Sequence, residues 1–455
     1  MKRFLGCISI LWGIGVGVSS GQHTPHLSGT VSVSIRKQTL TCSWEYTQLP
    51  EHYALRLNHL MHPRVEDTQG QALRYRRWKD HDTGDARAYQ LVADSLPDTV
   101  RIAYQLRMPL WARIRSKWSD WKGNVAFNDH SLRVTEQTEW YPVLYDSAQQ
   151  QWQQEVAYEI TVVCEDCTGL FLNGSLPVSG SQATFTRDTP VQLMLFVGDF
   201  EVVEREGVSF INTGLSDVQQ QALVALVEEV GAYYAQNLQI PYGTELAFIQ
   251  ASPTQKGRSW GFNSYPAIVT VGNPPHTLQQ FFDESGTIKP KIKDYLFHEA
   301  GHYYFGNYRQ PRGPLRWALL EGFNDYIALC ATRALLGDSA REFDNSMMYY
   351  REQVDGKAMV ALADVVAPEQ ITSLYRYRMI PLMLLAIEQR IGEEAMWAWL
   401  RAILATPNSE SVDVDFLVRT LRVSGLPEVQ VNGIERDIFR GEDWQSKVLD
   451  AIRQD

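Results

Sequence analysis

His298-Glu299-Ala300-Gly301-His302, followed after 18 residues by Glu321-Gly322-Phe323, decides the reading of this chain. On a helix, His298 and His302 sit four residues apart and project from one face, one above the other. Two imidazoles so placed can share one metal ion. Zinc at a catalytic site takes three protein ligands and leaves its fourth position to water. Glu321 supplies a third ligand, and Glu299 stands beside the pair to take a proton from that water. Residues 303–306 are expected to continue the first helix. Gln310-Pro311-Arg312-Gly313-Pro314 then breaks it, because two prolines and a glycine cannot extend a helix. An apolar helical pattern resumes near Leu315 and runs through Trp317, Leu319, Leu320, Phe323, Ile327 and Leu329. Two helices joined by a short loop pack antiparallel, which can turn His298, His302 and Glu321 to a common point. The competing reading is a pair of core histidines satisfied by hydrogen bonds. The apolar neighbours Tyr295, Leu296, Phe297, Tyr303, Tyr304 and Phe305 weigh against it, since burying two histidines and a glutamate among them is costly without a purpose.

The order His298-Glu299-x-x-His302, Phe305-Gly306-Asn307, Glu321-Gly322-Phe323 resembles the zinc-dependent aminopeptidase N family of gluzincins, which includes leukotriene hydrolase. The likeness is close over the second half of the chain and loose over the first. It implies a multidomain α+β protein: an N-terminal β-sandwich followed by a thermolysin-like, mostly helical zinc-peptidase domain. It implies one Zn2+ per chain on His298, His302 and Glu321, with Glu299 as general base and a peptide or protein as substrate.

The resemblance carries further positions. The family's carbonyl-polarising tyrosine begins a helix that ends in a Gly-Glu-Glu-type turn. Tyr377 begins such a stretch, which runs to Ile391-Gly392-Glu393-Glu394-Ala395; Tyr375, two residues away, competes for the role. Asp325, four residues after Glu321, matches the aspartate that accepts a hydrogen bond from a ligand histidine and fixes its ring. A solvated aspartate on the back of the helix is the alternative. The family's Gly-x-Met-Glu-Asn strand corresponds to Gly261-Phe262-Asn263-Ser264-Tyr265. Gly261 and Ser264 then line the substrate, and Ser264 stands where a glutamate would hold the substrate's free amine. A hydroxyl cannot replace a carboxylate as partner for an ammonium. The family's second amine anchor, a Gln-x-Glu segment, is not recognised ahead of Trp140-Tyr141-Pro142. An aminopeptidase with a rebuilt amine site, an endopeptidase or peptidase for blocked substrates, and a non-catalytic secreted binding protein therefore remain as readings.

The first residues read as a signal peptide, residues 1–21: Lys2 and Arg3, an apolar run from Phe4 to Val18, then Ser19-Ser20-Gly21. The run is too short to span a bilayer, although an uncleaved anchor is the alternative. Cys7 falls inside it and is not read as a lipid attachment site. The expected location is secreted or periplasmic, with no membrane span after cleavage. A formal net charge of −11 argues against nucleic acid as a partner. The basic and aromatic cluster from Arg74 to Lys79 reads as a solvated strand face. Cys164-Glu165-Asp166-Cys167 has no second pair with which to build a structural zinc site. Export suits a disulfide, either within this pair or from one member to Cys42, while Cys330 reads as a buried thiol.

Periodicity divides the chain. Residues 22–204 show short alternating runs, such as Thr30 to Ile35 and Tyr158 to Val163, separated by turn residues at Asn173-Gly174 and Ser179-Gly180. Residues 205–455 are assigned to the catalytic domain with a helical C-terminal lobe. Ser216-Asp217-Val218-Gln219 resembles a capping box opening a helix through Leu223, Leu226, Val227, Val230 and Tyr234. Strands near residues 246–249 and 267–271 precede the histidine helix, and beyond Asp338 the chain reads as almost wholly helical.

Overall fold

Alternation of buried and exposed side chains builds the amino-terminal part. In the computed structural model, Val100–Arg107 buries every second residue and exposes the others, the period-two pattern of a strand with one face on a core. Residues 25–79, 88–92, 97–108, 120–146, 151–243, 246–254, 259–274, 277–337 and 340–452 are described; the signal-peptide segment, residues 1–21, lies outside them. One six-stranded sheet runs in the order Gln182–Gln192, Glu155–Cys164, His26–Ser34, Thr39–Thr47, Val100–Arg107, Arg64–Glu66. His26–Ser34 is parallel to Glu155–Cys164, and its other neighbour is antiparallel. Two five-stranded sheets, centred on Tyr53–Asn58 and Leu195–Gly198, share a core with it.

Buried aromatics fill that core. Trp44 and Trp140 lie 5.7 Å apart between ring centroids. Their indole N–H groups are satisfied, Trp44 by the Tyr104 hydroxyl at 2.7 Å and Trp140 by the Leu193 carbonyl at 3.2 Å, as buried indoles require. The cysteine alternatives resolve into a Cys164–Cys167 disulfide, with Cys42 and Cys330 as buried free thiols. Inside that loop, Asp166 accepts hydrogen bonds from the Ile35 and Arg36 amides, both at 2.9 Å. The loop thus clamps the turn that leaves the first strand.

A fourth sheet joins the two parts of the chain. Its order is Val202–Arg205, Val208–Ile211, Ala247–Ala251, Ala267–Val271, Trp260–Ser264. The three inner strands are parallel and the two edge strands antiparallel. Every residue of Ala247–Ala251 is buried, as expected for a strand covered on both faces. One face, with Ile211, Ile249 and Val269, packs on Phe171 and Phe196 of the N-terminal sheets. The other, with Phe210, Phe248 and Ile268, packs on the helices. The edge strand Trp260–Ser264 is left at the rim of a cleft.

The first long helix, Asp217–Leu238, opens with the expected capping box of Ser216 and Gln219. After Pro290 the chain is mainly helical, and among the described residues no helix is long and apolar enough to cross a membrane. One expectation fails. The histidine helix, Pro290–Gly301, ends at Gly301 and does not continue through residues 303–306. The following amides of Asn307, Tyr308 and Arg309 bond five residues back, to the carbonyls of His302, Tyr303 and Tyr304. Gly306 then turns the chain at φ +156°, a conformation that side-chain-bearing residues rarely adopt. The apolar pattern persists there because Tyr304 and Phe305 are fully buried, not because the helix goes on.

Replacing Trp140 with alanine empties a fully buried site and leaves the Leu193 carbonyl without its donor. Trp140→Ala should cost about 3–5 kcal/mol, measured as a lower urea midpoint with an unchanged slope. A loss below about 1 kcal/mol would show that this core is not a single packed unit.

Candidate metal centre

Two antiparallel helices carry the site. Going along the first through Asp294, His298 and His302, the partners on the second run backwards. Thr332 donates to Asp294 at 2.8 Å, Asp325 meets His298 Nδ1 at 2.7 Å, and Glu321 faces His302 Nε2 at 3.7 Å. Glu321, Asn324 and Asp325 are three and four residues apart, so they share one face of the second helix. The two elements touch closely at Gly301, where a Cβ would come within 2.8 Å of Asn324 Oδ1.

Glu321 does not lie in ordinary α-helix. Residues Ala318–Gly322 form a π turn, in which the Phe323 amide bonds to the Ala318 carbonyl. A second π turn, Tyr375–Met379, carries Tyr377. Such widened turns recur where side chains must be aimed off the regular helical register. The two turns meet at Gly322: a Cβ there would lie 2.3 Å from Ile380 Cγ2 and 3.0 Å from the Arg376 carbonyl oxygen. A glycine after Glu321 is therefore what lets the two turns approach.

Nε2 of His298, Nε2 of His302 and Oε2 of Glu321 converge. Glu321 Oε2 lies 3.4 Å from His298 Nε2 and 3.7 Å from His302 Nε2, and the three residues offer donor atoms within 4.8 Å of one another. Bonds of about 2.0–2.1 Å to a tetrahedral zinc place neighbouring donors roughly 3.4 Å apart, so the set fits that ion. The far side of each ring is held. His298 Nδ1 bonds to Asp325, and His302 bonds to the Phe305 carbonyl, with Asn324 Nδ2 2.7 Å from its Nδ1. Both Nε2 atoms are thereby left facing Glu321. Burial pushes His302 down towards its neutral form. Burial acts to raise the Glu321 carboxyl, but the hydrogen bond from His298 and the nearby positive charges bring it down to about 2. Neutral imidazole and ionised carboxylate are the forms that bind a metal; His298, which Asp325 and Glu321 raise against the lowering effect of its burial, holds a proton that a metal would displace.

Glu299 stands beside this group, with Oε2 4.0 Å from His302 Nε2. It accepts a hydrogen bond from Asn263 Nδ2 at 2.8 Å, and the Tyr295 hydroxyl lies close enough to feel its charge. Tyr377 hydrogen-bonds to Glu321, and its ring centroid is 6.1 Å from that of His298. Its hydroxyl is pushed up, by burial and by the Glu321 charge, so it stays protonated as a donor. Tyr375 points elsewhere: its hydroxyl bonds to the Val360 carbonyl at 2.8 Å and its ring stacks on Trp444. Asp325 is an internal partner of His298, not a solvated residue.

Gly261 is exposed at the cleft rim. Ser264 is buried and donates to Glu136 Oε2 at 2.9 Å. Glu136, Glu139 and Lys122 of the N-terminal part also line the cleft, and sequence reasoning missed all three. A signal for one of them existed: Glu139 ends Gln137-Thr138-Glu139, which stands directly before Trp140-Tyr141-Pro142 and has the Gln-x-Glu form that was not recognised. Lys122, Asn263, Tyr295 and Asn324 belong to no pattern that points to them.

No protein-family model matches the chain, and no curated protein sequence does. Solved structures do. Native yeast LTA4 hydrolase aligns with a TM-score of 0.63 at 14% identity, over 92% of this chain and 67% of that one. A glutamate-to-alanine mutant of the M1 zinc metallopeptidase from Deinococcus radiodurans aligns with a TM-score of 0.59 at 14% identity, over 91% of this chain and 94% of that one. A form of the latter bound to a Tyr-Ser-Ala substrate aligns equally well, at 16% identity. At these identities the likeness establishes the fold: an M1-type multidomain α+β architecture, with β-sheets first and helices after.

Gly322→Ala inserts a methyl between the two π turns. It should weaken zinc affinity by roughly 10–100-fold, the cost typical of disturbing the groups that orient metal ligands, without abolishing folding. Competitive chelator titration with circular dichroism checks both. Unchanged affinity would mean that the contact at Gly322 does not position Glu321.

Proposed function

We propose that this chain is a zinc metallopeptidase, and the observation that carries the proposal is the convergence of His298, His302 and Glu321 with Glu299 and Tyr377 in one cleft. His298 Nε2, His302 Nε2 and Glu321 Oε2 would hold the ion. When bound, zinc polarises a carbonyl and lowers the pKa of water. Glu299 takes a proton from the attacking water at its carboxylate and returns it to the departing amine. Asn263 donates to Glu299 and so fixes its orientation before substrate arrives. Tyr377 keeps its proton, which suits a hydroxyl that donates to the oxygen gaining negative charge. The cleft lies between the N-terminal sheets and the helices, so an extended peptide can reach Glu299 along the edge strand Trp260–Ser264.

Likeness to an M1 peptidase favours trimming from the amino end of a peptide. Burial of Ser264 where a carboxylate would be needed favours chains without a free amine. A binding protein that has lost catalysis would have no use for a Glu299 held by Asn263 beside the metal ligands. Export to an oxidising compartment is supported by the lysine- and arginine-led apolar segment, residues 1–21, and by the Cys164–Cys167 disulfide.

Kinetics on an internally quenched peptide library test this function. Glu299→Gln should keep its zinc and lose essentially all turnover. Tyr377→Phe should lower kcat about 10²–10³-fold, as loss of one oxyanion donor does, with a smaller change in KM. Tyr375→Phe removes only the bond to Val360 and should leave kcat within about twofold. A zinc-loaded wild type that cleaves no peptide would overturn the proposal, and normal turnover by Tyr377→Phe would remove Tyr377 from it.

A further inference from the structure

The wall of the cleft next to Glu299 holds an ammonium of its own. Lys122 Nζ lies 2.5 Å from Glu136 Oε1 and donates to the Asn263 carbonyl at 2.6 Å. Its charge sits 5.7 Å from the centroid of the Phe262 ring, a favourable cation–π placement. Glu136 is nearly inaccessible, with 3% of its side chain exposed, and its other oxygen accepts the Ser264 hydroxyl. A carboxylate buried this deeply must be paired, and Lys122 is the partner. Glu139, a second carboxylate of this wall, is fully buried against Arg56. Both negative charges are already matched by cations of the chain.

We infer that Lys122 fills a built-in ammonium site on this wall, so that the substrate group lying there is uncharged: an N-acylated terminus or the continuing backbone of a longer chain. The inference rests on the metallopeptidase reading for its setting. A free terminal ammonium placed against Glu136 or Glu139 would meet the like charge of Lys122 or Arg56 and find both carboxylates already paired, which disfavours binding. The same lysine reaches the catalytic group, because it anchors the backbone of Asn263, whose side chain holds Glu299 at 2.8 Å. Changing Lys122 should therefore lower rates in general while altering selectivity in particular. The ratio between two substrates separates the two effects.

The test uses the zinc-loaded full chain and one peptide in two forms, with a free and with an acetylated N-terminus, placed so that cleavage falls after the first residue. Wild type should favour the acetylated form in kcat/KM. Lys122→Met keeps an unbranched side chain one atom shorter, removes the charge and frees Glu136, so it should shift the ratio towards the free amine by roughly tenfold or more, the scale of one charged hydrogen bond. The double variant Lys122→Met, Glu136→Gln should lose that gain. Calorimetric binding of both peptides to the same proteins carrying Glu299→Gln gives a readout that does not need turnover. If wild type cleaves neither form, the hydrolase reading fails, and the binding ratios alone decide the ammonium site. A wild type that prefers the free amine, a ratio unmoved by Lys122→Met in folded protein, or no binding of either peptide would each overturn the assignment.

Discussion

The contact between two π turns at Gly322 is the constraint on which the site depends. Without a side chain at that position, the turn bearing Glu321 can rest on the Arg376 carbonyl and on Ile380. That approach brings Glu321 to the two imidazoles and brings the Tyr377 hydroxyl to Glu321. A regular helix in either place would rotate its residues by about 100° per position and aim different side chains into the cleft. The widened turns are local distortions held in place by a large apolar core, in which Leu319, Tyr326, Met379 and Leu382 are inaccessible to solvent. Packing energy thus sustains a backbone geometry that the turn sequences alone do not favour.

Electrostatics then sets the chemical state of what packing has assembled. Asp325 and the Phe305 carbonyl each engage the outer nitrogen of one histidine, so both inner nitrogens face the same point. Charges of the opposite sign keep Glu321 ionised in spite of burial. Around this centre two buried carboxylates of the N-terminal part are paired in place, Glu136 with Lys122 and Glu139 with Arg56. Such pairs cost desolvation and are weak evidence for stability; their position on the cleft wall gives them a role in what the cleft admits.

Sequence alone went far where spacing carries geometry. His298 and His302 are one helical turn apart, and Glu321 and Asp325 repeat that interval on the facing helix, so a linear pattern encodes a shared face. The capping box at Ser216 was legible for the same reason. Pattern favoured Tyr377 over Tyr375 only through its offset from Gly392, because a π turn, invisible in composition, decides which of the two tyrosines faces the cleft. The supposed continuation of the histidine helix through residues 303–306 failed because burial by tertiary packing produces the same apolar run as a helix face. Lys122 and Glu136 were out of reach, since their partners Asn263 and Ser264 lie more than a hundred residues away, and only the packing of the fourth sheet against the N-terminal sheets brings them together.

Zinc K-edge X-ray absorption of the protein loaded with one equivalent of metal tests the central claim most directly. The account predicts a shell of nitrogen and oxygen at about 2.0–2.1 Å with the scattering signature of two imidazoles, and no sulfur. That shell should lose one oxygen donor in Glu321→Ala. A sulfur shell near 2.3 Å, or a spectrum without imidazole scattering, would contradict the assignment of His298, His302 and Glu321 as the metal centre.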